Sequence, residues 1–350
     1  MSVAHCGDFR QTYREDMKVL ETRFIRVSVG AFVVLLYLFP LAAGNYLTST
    51  VTTIAIAVIG ALGINIVTGF TGQISLGHGA FMGVGAFACS YYMRVAHLPF
   101  WVAMPAAGIT TAAVGMVFGL PSARLKGLYL AIATLAAQFI LQYLFVHMDF
   151  VTGGSNGIVS PPPEIGSFAF DGDRSKYYLT VTIAVMAVLF TTNLIRSRDG
   201  RAFIAVRDHY LSAEIMGVPL FKYRLLSFAI SAFYAGIAGS LWGVYTGYLS
   251  AEQFTIAESI NYLAMIIIGG LGSVLGSIFG AIFMTLLPQI LTVGTGALAG
   301  IFPKIGFLIM SFKEGIFGLI VILFLIFEPD GLAHRWRLIK SYWKLFPFSY

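Results

Sequence analysis

No aspartate or glutamate occurs between Glu21 and Asp149, and no lysine or arginine between Arg224 and Lys304. A surface facing water needs charges at close intervals, roughly a quarter of all residues in a soluble domain. Only 11% of this chain is charged, while 58% is hydrophobic. A globule in water is excluded. The acid-free stretch lies in the first half of the chain and the base-free stretch in the second, so the apolar excess is not one anchor on a soluble body, and the sequence reads as a polytopic membrane protein.

A crossing helix uses about 20 mainly apolar residues. Apolar runs lie at roughly 27 to 43, 47 to 69, 74 to 93, 98 to 120, 127 to 147, 177 to 195, 225 to 248, 259 to 272, 274 to 293 and 311 to 327. They predict an all-α fold of about ten spans, with the 259 to 272 run too short to cross straight. The polar arm of residues 1 to 26 carries Arg10, Arg14, Lys18, Arg23 and Arg26. That arm argues for an uncleaved first span with a cytoplasmic N-terminus.

The loop from 148 to 176 has Asp149, Glu164, Asp171 and Asp173 against Arg174 and Lys176, whereas that from 196 to 224 has Arg196, Arg198, Arg201, Arg207, Lys222 and Arg224. The first is expected outside and the second inside. Arg124, Lys126 and a basic tail from 329 to 350, with Arg335, Arg337, Lys340 and Lys344, also fall inside, leaving 27 to 328 as the transmembrane domain. Positive residues flank apolar runs instead of lining one polar face, so the net charge of +6 codes orientation and not nucleic-acid binding.

Several chemistries fail on inventory. No Gly-Lys-Ser or Gly-Lys-Thr is present, so the chain has no P-loop with which to hydrolyse ATP. Histidines 5, 78, 97, 147, 209 and 334 form neither HExxH nor a cluster with Cys6 or Cys89, so neither a metal centre nor a hydrolase is indicated. No cofactor is expected. The acid-free first spans offer no carboxylate at membrane depth for a cation-driven carrier, although sodium sites built from backbone carbonyls stay open. The simplest reading is a translocation pathway energised by another subunit.

Glycines recur every fourth residue at Gly239, Gly243 and Gly247, at Gly272, Gly276 and Gly280, and at Gly115 and Gly119. Such spacing lets helices pack closely within a chain, or marks a dimer face. The segments GFTG from Gly69 and GGLG from Gly269 resemble each other, which suggests a duplicated half.

Three segments carry most of the information. RSRDGRAFIAVRDHYLSAEIMGVP, Arg196 to Pro219, reads as one or two short helices stopped by Gly217 and Pro219, with Phe203, Val206, Tyr210 and Ala213 on one face. A helix this short and charged must dock, on its own domain, on lipid or on a partner. GFTGQISLGHGAF, from Gly69, places Gln73, Ser75 and His78 at a helix end or break. They either line a translocation path for an amino-acid zwitterion or satisfy neighbouring helices. TGGSNGI, from Thr152, followed by three prolines, is either a rigid outer loop or a docking surface.

The segment Asp208 to Gly217 resembles the acid, Ala and Gly motif through which permeases of ABC importers engage their ATPases. More specifically, NIVTGFTGQISLGHGAFMGVGAF, TGGSNGI, SRDGRAFIAVRD, GGLGSVLGSIFGA and the turn of Pro329, Gly331 and Leu332 are similar to LivM-type permeases of branched-chain amino acid ABC transporters. The resemblance covers nearly the whole chain after about residue 50. It implies a non-catalytic subunit of a bacterial inner-membrane importer. Its expected partners are a LivH-like permease, two cytoplasmic ATPases and an external solute-binding protein. Gly200, Arg201, Arg207, Asp208, Ala213, Glu214 and Gly217 are then the ATPase-coupling residues. The substrate is a branched-chain or related amino acid, with urea or short amides, or aromatic acids, as the alternative within the class. An ion-coupled carrier working alone is the alternative outside it.

Overall fold

The computed structural model describes residues 23–123, 125, 127–165, 168–170, 172–301, 306–328 and 330–345. Most of the expected N-terminal arm, Arg124, Lys126, Asp171 and Pro329 lie outside the described residues. Each predicted apolar run is a helix. The first two are α1 (Arg23–Ala42) and α2 (Asn45–Ile64), the latter extended by a π-helical turn, Asn65–Phe70. Next come α3 (His78–Arg94), α4 (Phe100–Gly119), α5 (Leu128–His147) and a single turn, α6 (Asp149–Thr152). Then follow α7 (Asp173–Arg196), α8 (Arg198–Ile215) and α9 (Leu220–Thr246). The chain closes with α10 (Ile256–Gly269), α11 (Val274–Ile301), α12 (Gly306–Phe327) and α13 (Leu332–Leu345).

Six stretches are long and apolar enough to cross a membrane: Asn45–Phe70, Phe100–Gly119, Leu128–His147, Asp173–Arg196, Leu220–Thr246 and Val274–Val293. Val27–Ala42 and Gly315–Phe324 are shorter apolar stretches. The 14 residues of α10 reach about 21 Å, less than the roughly 30 Å hydrocarbon core. The architecture is an all-α polytopic bundle, and its helices do not all cross alike.

Burial ranks the helices. The apolar window of α2 is 83% buried and that of α9 67%, against 33 to 39% for the other four long helices. These two are therefore the centre of the bundle, and the others turn a broad face outward, as exposed Ile109, Val117, Ile132, Phe139 and Phe190 show. Lipid gives no hydrophobic reward for bringing helices together, so close packing here relies on small residues. A Cβ at Gly85 would overlap the backbone of Gly236, and one at Gly239 the carbonyl of Met82, which brings α9 onto α3. Gly115 and Gly119 seat α4 on Ala232 and Phe228 of α9, and Gly280 seats α11 on the Met265 carbonyl of α10. The glycine spacing thus serves packing within the chain.

Among the described residues, strand structure is confined to two short antiparallel pairs at one end of the bundle. β1 (Ile158–Val159) pairs with β4 (Tyr248–Leu249), and β2 (Glu164–Ile165) with β3 (Phe168–Ala169). Substituting Gly239→Val should lower the thermal unfolding temperature of the detergent-purified chain by several degrees, since overpacking costs about 1–3 kcal/mol. Gly30→Ala, where nothing lies within 4 Å, should leave it unchanged in the same melt.

Candidate functional site

Two helix breaks meet at the end of the bundle opposite the strands. After the π-helical turn the chain reverses through Gly72, at φ +74°, and runs without regular structure to α3. After α10 it turns through Gly270 and Gly272, the latter at φ +70°, into α11. Gly72 and Gly272, matched by sequence, therefore share one left-handed conformation, available to glycine at no steric cost.

Asn65 joins the breaks. Its fully buried amide donates from Nδ2 to the Ser273 carbonyl at 2.9 Å and to Ser277 Oγ at 2.7 Å, and its Oδ1 accepts from the Gly272 amide at 2.9 Å. One side chain thus serves backbone groups that the α10–α11 break sets free. Asparagine suits this because it carries donors and an acceptor on one short plane.

The surface helix α8 reaches the same point. Ser197 caps it by accepting the Gly200 amide at 3.2 Å, and Gly200 lies so close to the Leu194 and Ile195 carbonyls that a Cβ would collide with them. The helix kinks at His209, so it is two short pieces. It ends in a Schellman turn: Gly217, at φ +83°, donates to the Glu214 carbonyl at 2.9 Å and Val218 to that of Ala213 at 2.9 Å. Phe203, Val206 and Ala213 are buried against the bundle, whereas Leu211, Ile215 and Met216 are exposed, the last two at 85% and 83%. The helix docks on its own domain and still presents an apolar tip.

Among the expected coupling residues, Arg207 has the most consequential contacts. Its Nη1 donates to the Gly69 carbonyl at 2.9 Å and its Nε to Asp208 Oδ1 at 2.8 Å, while its aliphatic stem lies over Gly72. Arg201 donates to the Arg196 carbonyl at 2.9 Å, Glu214 is exposed, and Ala213 faces inward. These residues are spread along α8 and the turn that ends it, and they point in different directions.

Gln73, Ser75 and His78 are all buried. Gln73 Nε2 donates to Ser227 Oγ at 2.8 Å; Gln73 Oε1 and His78 Nε2 have no hydrogen-bond partner among the described residues. The His78 ring lies tilted against Tyr262 with centroids 5.3 Å apart. The first amides of α3, which have no partner within their own helix, are met from other helices. Gly79 donates to Ser259 Oγ at 2.8 Å and Ala80 to Gln138 Oε1 at 2.9 Å, while Gln138 Nε2 donates to the Phe254 carbonyl at 2.8 Å. The importance of Asn65, Gln138 and Ser259 was not apparent from spacing; the available signal is a lone amide or hydroxyl inside an apolar run.

At the strand end, Thr152 is buried and donates to the Phe145 carbonyl at 2.6 Å, and Tyr248 donates to that of Asn156 at 2.5 Å. The TGGSNGI loop is tied to the end of α9 and is rigidly built. Among the described residues no group of three or more His, Cys, Asp or Glu is arranged to hold a metal ion.

A bundle of apolar helices broken twice, with an amphipathic surface helix bonded to the breaks, defines a polytopic membrane permease. Residues 46–327 match the family model described as "Branched-chain amino acid transport system / permease component". The chain belongs to this family. It is 32% identical to the high-affinity branched-chain amino acid transport system permease protein LivM of Salmonella typhimurium, over 85% of this chain and 72% of that protein. The LivM protein of Escherichia coli is also 32% identical, over 88% and 74%. The permease protein LivH of Salmonella typhimurium is 24% identical over 61% of this chain and 74% of its own. No solved structure matches.

Asn65→Ala should destabilise the purified chain by about 1–3 kcal/mol, because it strands buried groups and not merely one bond. Asn65→Asp should cost at least as much, since a carboxylate cannot donate to the Ser273 carbonyl; thermal melts of both variants check this.

Proposed function

We propose that this chain is one of two different membrane subunits of an ATP-driven importer for branched-chain or related amino acids. The second is a LivH-like permease. Family membership and the LivM relatives support the substrate class. The observation that carries the mechanism is the bond from Arg207 to the Gly69 carbonyl, which ties a surface helix to the place where two broken helices meet.

The chain does no covalent chemistry in this reading. One of two cytoplasmic ATPases grips the exposed Leu211, Ile215 and Met216 tip of α8, and an external binding protein delivers substrate at the strand end. Closure of the ATPases on nucleotide moves α8; Arg207 carries that movement to Gly69, and Asn65 shares it between the α2–α3 and α10–α11 breaks. Gly217 sets the angle at which α8 leaves the membrane surface. Six basic residues between 196 and 224 favour the cytoplasmic side for α8, and with it both termini, in a bacterial inner membrane. Gln73, Ser75 and His78 border the path as it opens, the free Gln73 oxygen offering an acceptor to a passing ammonium.

Reconstitution into vesicles with the second permease, the ATPases and the binding protein should give leucine uptake that requires ATP. Uptake by this chain alone on an ion gradient would instead make it a secondary carrier, and uptake of urea or aromatic acids with no branched-chain amino acid would move the substrate class. Arg207→Ala, Asp208→Arg and Gly217→Pro should each insert normally and lower ATP-dependent uptake at least about tenfold, the range of a lost allosteric coupling. Unchanged uptake in all three refutes the coupling role.

A further inference from the structure

The last described helix, α13, has two unlike halves. On a helical wheel Leu332, Trp336, Leu338, Ile339 and Tyr342 share one side, interrupted by Arg335, and Arg337, Lys340, Ser341 and His334 the other, with no acidic residue in the helix. A short helix of this pattern lies in the plane of a membrane surface, with its apolar side toward the acyl chains and its cations at headgroup level. It sits at the same end as α8, since Ala333 packs on Gly270 beside the helix break.

Between α13 and α11 lies a cavity of about 410 Å³. Phe279, Phe283, Leu286 and Ile290 line it from α11, and Trp336 and Ile339 from α13. Trp336 closes one end edge-on against Phe279, with ring centroids 5.9 Å apart. Among the described residues, Arg335 is the only polar side chain on its wall, held at the rim by Glu328. From Phe279 to Ile290 the stripe on α11 covers about 16 Å, matching the roughly 15 Å of hydrocarbon in one leaflet.

We propose that this corner is a binding site for an anionic phospholipid of the leaflet on the α8 side. One acyl chain fills the groove, and the phosphate sits at headgroup level beside Arg337 and Lys340, which share one flank of α13, while Arg335 stays on Glu328 at the groove rim. Glu328 and Asp330, just before the helix, engage Arg335 and His334, which leaves Arg337 and Lys340 as cations without an acid beside them at the end of an apolar wall one leaflet deep, and that pairing fits an anionic headgroup and its tail together.

Native mass spectrometry of the full chain, titrated with dioleoyl phosphatidylglycerol and with dioleoyl phosphatidylcholine, tests the assignment. The phosphatidylglycerol adduct should be retained in preference, and glycerol 3-phosphate should not displace it. Arg337→Ala and Lys340→Ala should each weaken retention about fivefold, the value of one cation near an anionic surface. Ile290→Trp, at a position 62% exposed and so tolerant of bulk, should weaken it with every cation in place. Equal retention of the two lipids, or parental binding by all three variants, overturns the site. So does efficient cross-linking of an Ile290→Cys variant to the second permease in the assembled transporter, which would assign the groove to a protein.

Discussion

A peptide group without a hydrogen-bond partner in hydrocarbon costs several kcal/mol, so a membrane chain can interrupt a helix only where other protein supplies the missing partner. This chain interrupts its helices at two adjacent places and meets the cost with few side chains. Asn65 completes the turn at Gly272 and Ser273, and Ser259 with Gln138 completes the start of α3. These bonds run between helices, so they also fix which helices are neighbours. α3 cannot begin where it does unless α5 and α10 are in place to receive its amides. The order of the bundle follows from that requirement as much as from any apolar contact.

Packing then divides the molecule into a stiff part and a part able to yield. At the strand end, Thr152, Tyr248 and the β1–β4 pair tie the ends of α5 and α9 together, and the backbones of α3 and α9 touch through Gly85, Gly236 and Gly239. Close-packed interiors transmit displacement instead of absorbing it. At the opposite end the chain between Phe70 and His78 has no regular structure, and the link from Gly269 to Val274 is only a few residues of turn. A displacement applied there changes backbone torsions at glycines, where the barrier is lowest.

Much of this was legible before any coordinates. Apolar runs gave every long helix, because lipid demands length and composition above all else. The segment from Arg196 to Pro219 declared its stop, since Gly217 followed by Pro219 has one strong local use, whereas the cap at Ser197 is visible only in the structure. The match of GFTG with GGLG suggested a duplicated half; what the structure adds is a similar positive φ at Gly72 and Gly272. Long-range pairing was hidden: nothing local in the sequence says that Asn65 reaches Ser277 or that Arg207 reaches Gly69, because partners more than 100 residues apart are chosen by packing. The face of α8 was read correctly for Phe203, Val206 and Ala213, but its exposed tip at Ile215 and Met216 was not, since exposure of an apolar residue is decided by what the neighbours leave uncovered.

The charges on α8 also have to be ranked. An exposed pair such as Arg207 with Asp208 contributes little to stability, about 0–1 kcal/mol, and would not by itself hold a helix in place. Its value is geometric. The guanidinium is a flat fork, so fixing Nε on Asp208 orients Nη1 toward the Gly69 carbonyl. Asp208 is therefore a positioning residue and Arg207 the one that touches the break. What binds α8 to the bundle is the buried Phe203 and Val206, while a single charged hydrogen bond from Arg207 joins it to a carbonyl at the π-helical turn. Burial and the bond to the break thus use different residues of the same helix, so losing the guanidinium would cut the link to the break while Phe203 and Val206 keep the helix in its seat.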